Sequence, residues 1–370
     1  MMQVEKIRLG DVVSFSKGQQ INGDELMKNG RYDYLNGGIN PSGCWNDFNV
    51  TGDTVTISEG GNSCGYVNYM SYPFWCGAHC YYLYDSKLNN KYLYYALKSQ
   101  QEKIMKLRTG ACMPNIKKTD LGKFELNITT DINAQELTVF ILDKITALID
   151  KRKKQLKKLD ELVKSRFIEM FGTVKDNPYL FPTATLKEVC HKITDGKHGG
   201  CEQEADSGYY YVGAREIYDG VIHYDTAPQI TYADFAKDYR RCNIEQGDMV
   251  IVNTGATIGK SAIASSPLTE RTLLQKSVAL IKVKTDVISA EFLRYCYMAN
   301  PSMYMVESAS AQPNLLLSKM NATAIYLPPI ELQEQFAAFI EQIDKSKFEI
   351  KQSLEKLEVL KKALMQKYFG

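Results

Sequence analysis

The chain has 370 residues, a formal net charge of +2 and 44% apolar residues, a profile that excludes both a disordered chain and a strongly basic nucleic-acid-binding tail. At about 150 residues per domain, this length asks for two cores. No apolar run approaches the ~20 residues that span a bilayer, and MMQVEKIRLGDVVSF lacks the apolar centre of an export signal, so no membrane association is expected. The nine scattered cysteines are accordingly expected as reduced thiols in a cytoplasmic protein.

Residues 1–130 read as a mixed, strand-rich domain. IRLGDVVSFSKGQQI supplies a short strand and a turn at Lys17-Gly18. GDTVTIS (52–58) alternates as a strand does, and EGGNSCG after it is a glycine-rich turn. YVNYMSYPFWCGAHCYYLY is dense in aromatic and β-prone residues, although Tyr66, Tyr72 and Trp75 are expected in the core. KYLYYALKSQQEKIMKL (91–107) has helical spacing, and TGACMPNIKKTDLGKFELNI returns to loop and strand.

Residues 131–172 form a helix of unusual length. Leu142, Ile145, Ile149, Leu156, Leu159, Val163 and Met170 keep a seam at steps of three and four, the a/d pattern of a coiled coil. Residues 173–329 then repeat the order of the first domain. TLKEVCHKITDGKHGG parallels IRLGDVVSFSKGQQ, and GDMVIVNTGATIGKSAIA parallels GDTVTISEGGNSCGYVNY. AEFLRYCYMANPSMYMV parallels KYLYYALKSQQEKIMKL, and AQPNLLLSKM parallels CMPNIKKTDL, placing Asn314 on Asn115.

A second long helix over 330–370 closes the repeat. Its run from 333 matches the run from 135 without a gap, both opening on Gln-Glu and closing on Phe-Gly. Ile340, Ile343, Ile350, Leu354, Leu357, Leu364 and Tyr368 keep the same frame. A repeat of this length is a duplication. A stripe this narrow cannot bury itself, so the two helices, each roughly 57 Å long, are expected to pair antiparallel within one molecule. Arg152, Arg166, Lys347 and Lys361 interrupt the seam and point to register-setting or a further partner. The expected fold is therefore α+β, an internal duplication with pseudo-two-fold symmetry: two similar strand-rich domains joined by two long antiparallel coiled-coil helices.

The motifs favour binding over catalysis. TGATIGKS resembles a phosphate-cradling loop, but it is one residue short between its glycines and the SAIAS after it reads as a strand. Cys76, His79 and Cys80 sit close together, yet only Cys44 and Cys64 remain to complete a zinc site and the second domain has no counterpart. His191, His198 and His223 lack ligand spacing; His198, in DGKHGG, is placed to hydrogen-bond a partner. There is no nucleophile elbow, H-E-x-x-H or dinucleotide loop, and LPPI (327–330) stiffens the entry to the second helix. No catalytic residue and no metal is assigned.

Base edges are read by Asn, Gln, Arg and Lys, and backbone is held by Lys, Arg, hydroxyls and N–H groups. On those grounds the candidate DNA-binding residues of the first domain are Lys17, Gln19, Gln20, Asn36, Asn62, Arg108, Lys117 and Lys118. Those of the second are Lys197, His198, Arg215, Thr254, Lys260, Gln312 and Asn314. The basic excess is local, in KRKKQLKK (151–158), so binding is expected to need help from partners.

The duplicated plan, the GDMVIVNTGATIGKSAIA stretch, the QPNL turn and the LPPIELQEQ helix entry together resemble the specificity subunits of type I restriction–modification systems. The resemblance covers essentially the whole chain. It implies two target-recognition domains, 1–130 and 173–329, each reading one half of a split double-stranded DNA sequence. The helices at 131–172 and 330–370 would act as spacer and as docking surface for two modification subunits, which carry S-adenosylmethionine and flip out and methylate an adenine. A restriction subunit would add ATP- and Mg-dependent translocation and cleavage; the chain itself would bind no cofactor and catalyse nothing. Two other classes stay open on the residues alone. One is a coiled-coil scaffold with protein- or glycan-binding heads, and the other is a nucleotide-dependent enzyme using the Gly255–Lys260 loop.

Overall fold

Two helices of 40 residues each, Ile132–Phe171 and Ile330–Phe369, dominate the secondary structure. Neither contains Gly or Pro, so nothing interrupts the i→i−4 ladder over about 60 Å. Gly172, at φ +73°, stops the central helix in the left-handed conformation of a C-terminal glycine. The Pro328-Pro329 pair precedes the C-terminal helix and cannot extend it backwards. The computed structural model describes residues 4–110, 114–173, 176–300, 303 and 314–370. The chain divides into two units, Met1–Gln155 with Ile350–Gly370, and Leu156–Glu349.

In the first unit, four antiparallel strands run in the order Ser14–Lys17, Cys80–Tyr84, Thr54–Ser58, Val67–Met70. A smaller sheet sets Tyr32–Leu35 between Gly43–Trp45 (antiparallel) and Trp75–Cys76 (parallel). Glu5–Arg8 pairs with Glu125–Ile128, bringing the start of the unit beside the entry to the central helix. Thr54–Ser58 is buried on both faces. Helix Asn90–Ser99 covers one face, its first N–H groups capped by the Asn89 side chain. It turns at Gln100, so the helical spacing over 91–107 resolves into two helices, the second at Gln101–Met105.

The second unit repeats this order. Its sheet is Cys190–Asp195, Val278–Val283, Met249–Val252, Ser261–Ile263. Tyr210–Val212 lies parallel to Thr272–Leu274, and Thr183–Thr185 pairs with Ala324–Tyr326. Along Met249–Val252 the side chains alternate between two cores, Met249 and Ile251 into one, Val250 and Val252 into the other. The helix equivalent to Asn90–Ser99 is Ala290–Ala299, capped by Ser289. This unit adds a helix, Tyr232–Cys242, started by Thr231 and ended by Asn243 at φ +53°.

Within each unit, one end of each long helix packs against the other helix antiparallel. In the first, Leu142, Leu364, Met365 and Phe369 share a core, and Lys153 pairs with Glu358 at 3.0 Å. In the second, Val163, Phe167 and Phe171 share a core with Phe336 and Ile340, and Asp160 pairs with Lys347 at 2.6 Å. Phe167, outside the seam expected from the sequence, is fully buried. Arg166 does not interrupt that seam: it is exposed and pairs with Glu169 one turn on. Leu156, Leu159, Ile350, Leu354 and Leu357 are only half-buried, so burial of the seam is deepest toward the helix ends.

Candidate nucleic-acid interface

In both units the polar loops meet where the sheet strands end, and a four-residue segment ties them together. In the first unit it is 76–79. The N–H of Gly77 bonds to Leu35 O at 2.8 Å, the N–H of Glu59 to His79 O at 2.9 Å, and the N–H of Gln19 to Cys76 O at 2.9 Å. In the second unit 274–277 makes the same three links: Gln275 N–H to Val212 O at 2.8 Å, Asn253 N–H to Ser277 O at 3.0 Å, and Lys197 N–H to Leu274 O at 2.7 Å. The glycine turns follow suit. Gly60 bridges Asn115, and Thr254 bridges Asn314, the equivalence expected from the repeat. The GATIGK stretch leads into a strand, Ser261–Ile263, paired with Met249–Val252, so it lacks the helix N-terminus of a nucleotide loop.

Most of the candidates gather on these loops. Lys17 is ion-paired to Glu59, whose other carboxylate oxygen lies 3.6 Å from the His79 ring. The Lys17 ammonium lies 5.5 Å from the centre of the Tyr81 ring, and the Tyr81 hydroxyl donates to Ile116 O, next to exposed Lys117 and Lys118. Arg108 is exposed, one residue before the Thr109–Asn115 bridge, and Asn62 is exposed in the glycine turn. Gln19, Gln20 and Asn36 form the neighbouring group: Asn36 donates to Gln20 at 3.1 Å and accepts the N–H of His79 at 3.0 Å, while Trp75 donates to Gln19 O at 2.8 Å.

In the second unit Thr254 donates to Asn314 at 3.3 Å, and exposed Arg215 sits in the Ala214–Glu216 turn, joined to Ser277 through the N–H of Ala214. Lys260 is exposed at the end of the glycine turn. Gln312 lies outside the described residues.

Lys197 differs from a free phosphate contact. Its ammonium is 2.8 Å from Asp238 and 3.7 Å from Asp234, and the Asp238 hydrogen bond is the largest influence holding its pKa above the ordinary lysine value. This lysine fastens its loop to helix Tyr232–Cys242. Arg241 does the same from the helix end, pairing with Asp195, which also receives His198 at 3.0 Å. Burial pushes the Asp195 carboxyl up, but the Arg241 and His198 bonds outweigh it and keep the group below its usual range.

One expectation changes. Tyr72 is exposed and hydrogen-bonds Asp33 at 2.8 Å, so it is no core residue. Cys76 and Cys80 are buried among Leu35, Val50 and Phe74, whereas the His79 ring is exposed toward Glu59, which separates the members of the CGAHC cluster. His79, Gln275, exposed Lys276 and Ser277 were absent from the candidates; the equivalence of CGAHC and LQKSV after matching strands was the available signal. Helix Tyr232–Cys242 was missed too, although Thr231 and Asp234 carry a helix-start pattern.

Residues 1–161 and 180–362 match the family model described as type I restriction modification DNA specificity domain. The chain belongs to this family. Such specificity subunits are distinct from the catalytic subunits of their systems. Over 375 residues, 98% of this chain and 93% of the relative, it is 26% identical to a Mycoplasma genitalium protein named as a type I specificity subunit. It is 22% identical over 391 residues, 98% of this chain and 91% of the relative, to the MjaVIII specificity subunit of Methanocaldococcus jannaschii. The crystal structure of the type I restriction–modification S subunit from M. genitalium superposes with a TM-score of 0.69, covering 100% of this chain and 96% of that one at 22% identity. The specificity subunit thus shares its fold with that structure along its full length. No helix among its described residues is long and apolar enough to cross a membrane.

Proposed function

We propose that residues 1–130 and 173–329 of this specificity subunit each read one half of a split double-stranded DNA sequence. The observation carrying this reading is that one framework in both units brings polar loops of different composition to the same strand ends: Lys17, Gln20, Asn36 and His79 in one, His198, Thr254, Lys276 and Asn314 in the other. Shared geometry with different hydrogen-bonding groups suits two unlike half-sites.

The long helices, 131–172 and 330–370, set the gap between half-sites and dock two modification subunits, which hold S-adenosylmethionine. A restriction subunit using ATP and Mg joins that assembly in the cytoplasm. Docking is supported by apolar side chains on the central helix that this chain leaves uncovered: Leu137 and Phe140 are 59% and 60% exposed, and Leu148 is exposed as well. The near-neutral total charge agrees with partners supplying much of the hold on the phosphates.

Exchange of residues 173–329 for the equivalent domain of another family member, co-expressed with the modification subunits, tests the reading. Mapping the methylated sequence is expected to show one half changed and the other kept. A change in both halves, or in neither, overturns the division of labour.

A further inference from the structure

Gln20 and His198 occupy the same place in their two domains. Each follows the residue whose N–H bonds to the end of the equivalent strand, Gln19 to Cys76 O and Lys197 to Leu274 O. Both are exposed, and both are held from below by a neighbour. His198 is held by Asp195. Gln20 is held at both ends of its carboxamide: Oε1 accepts from Asn36 Nδ2 at 3.1 Å, and Nε2 donates to Ile21 O at 2.9 Å.

The support beneath is built differently in the two domains. Asn36 fills the space opposite Gly77, where a Cβ would lie 2.2 Å from Asn36 Oδ1. In the second domain the equivalent of Asn36 is Gly213, and the equivalent of Gly77 is Gln275. There a Cβ on Gly213 would lie 2.4 Å from Gln275 Oε1. One carboxamide fills the same gap in both domains, contributed from opposite strands. Only the arrangement with Asn36 reaches the exposed reader, since Gln275 Nε2 turns to Tyr211 O instead.

From this we infer that Gln20 reads an adenine in the half-site of the first domain, with Asn36 as its positioning residue. A carboxamide has two N–H donors and two acceptor lone pairs. With one of each committed to Ile21 O and Asn36, Gln20 keeps one N–H and one lone pair side by side. That pair matches N7 and the N6 amino group on the major-groove edge of adenine and no other base edge in that groove. Asn36 also takes the N–H of His79, so it locks Gln20 against the segment that ties the loops together. The inference rests on the proposal that the first domain reads DNA.

The test uses the full chain co-expressed with its modification subunits, the methylated sequence being mapped for wild type, Gln20→Ala, Asn36→Gly and Asn36→Gly/Gly77→Gln. Gln20→Ala is expected to relax one A·T position in the half-site of the first domain by about ten- to a hundredfold, leaving the other half intact. Asn36→Gly should relax the same position and lower the Tm. The double variant, which copies the packing of the second domain, should recover the Tm without recovering the base preference, which a merely structural Asn36 would restore. Unchanged discrimination in Gln20→Ala, relaxation at a G·C pair or in the other half, or a double variant that regains the preference would each overturn the inference. Absence of any bipartite methylated sequence would instead refute the proposed function beneath it.

Discussion

Gln135 Oε1 accepts the backbone N–H of Asn89 at 2.8 Å, and its Nε2 donates to Thr129 O at 2.8 Å. In the other unit Gln333 takes the N–H of Ser289 and donates to Pro328 O, both at 2.8 Å. Both glutamines are fully buried. Each locks the first turn of a long helix to the residue that caps the shorter helix of its domain, so the helix start and the domain are joined as one piece. Gln135→Leu strands two buried backbone groups and should cost about 2–6 kcal/mol, at ~1–3 kcal/mol per stranded group, and Gln333→Leu, which also loses a 3.3 Å bond to Val287 O, should cost at least as much. Urea unfolding monitored by circular dichroism measures this. A loss below about 0.5 kcal/mol would show that water replaces the amide.

The far ends of the helices are held by aromatic packing. Phe171 lies 4.8 Å from Phe292 and 5.5 Å from Phe336, ring centre to ring centre, and Phe369 lies 5.2 Å from Tyr92, which holds the place of Phe292. Phe171→Ala should destabilise its unit by about 3–5 kcal/mol. Arg166→Ala, nearby on the exposed face, should stay within about 0.5 kcal/mol. Comparable losses at the two positions would mean that the helix end is not part of the core.

Lys98 is a titration probe. Burial, reinforced by repulsion from Lys361, lowers its pKa to about 8, and its ammonium lies 3.7 Å from the centre of the Tyr66 ring. A folded-state pKa below the unfolded one means that the charged form is disfavoured in the fold. The associated stability is complete above the unfolded value near 10.5 and is lost as pH falls through about 8. Stability of the wild type relative to Lys98→Met should therefore rise between pH 8 and 10. A flat difference over that range would place the Lys98 ammonium in water.

The proposed role ties the length of the unspecified gap to the length of the helices. Seven residues inserted in each long helix, between Lys153 and Asp160 and between Lys347 and Glu358, preserve the heptad phase and extend each helix by about 10.5 Å. The unspecified gap in the methylated sequence should then grow by about three base pairs, at ~3.4 Å each. A gap that keeps its length would dissociate it from the helices.

Much of this organisation is local and therefore legible in order along the chain. The duplication, the two glycine-free helices, the glycine turns and the equivalence of Asn314 and Asn115 all depend on residue type at fixed spacing. So do the Gln-Glu and Phe-Gly boundaries, which proved to be the buried glutamines and aromatic anchors. Contacts between residues distant in sequence are a different matter. Nothing in the spacing around Lys197 announces Asp234 and Asp238, and a heptad count places Arg166 in a seam from which the packing of Phe167 and Phe171 excludes it.

The amino-acid order alone thus determined that the chain is two copies of a strand-rich unit, each leading into a long helix, because periodicity and turn chemistry act over a few residues at a time. Tertiary structure alone decided which polar side chains remain available and which are spent on holding loops. That depends on burial and on partners supplied by other strands, as when Asn36 and Gln275 fill the same gap from opposite sides.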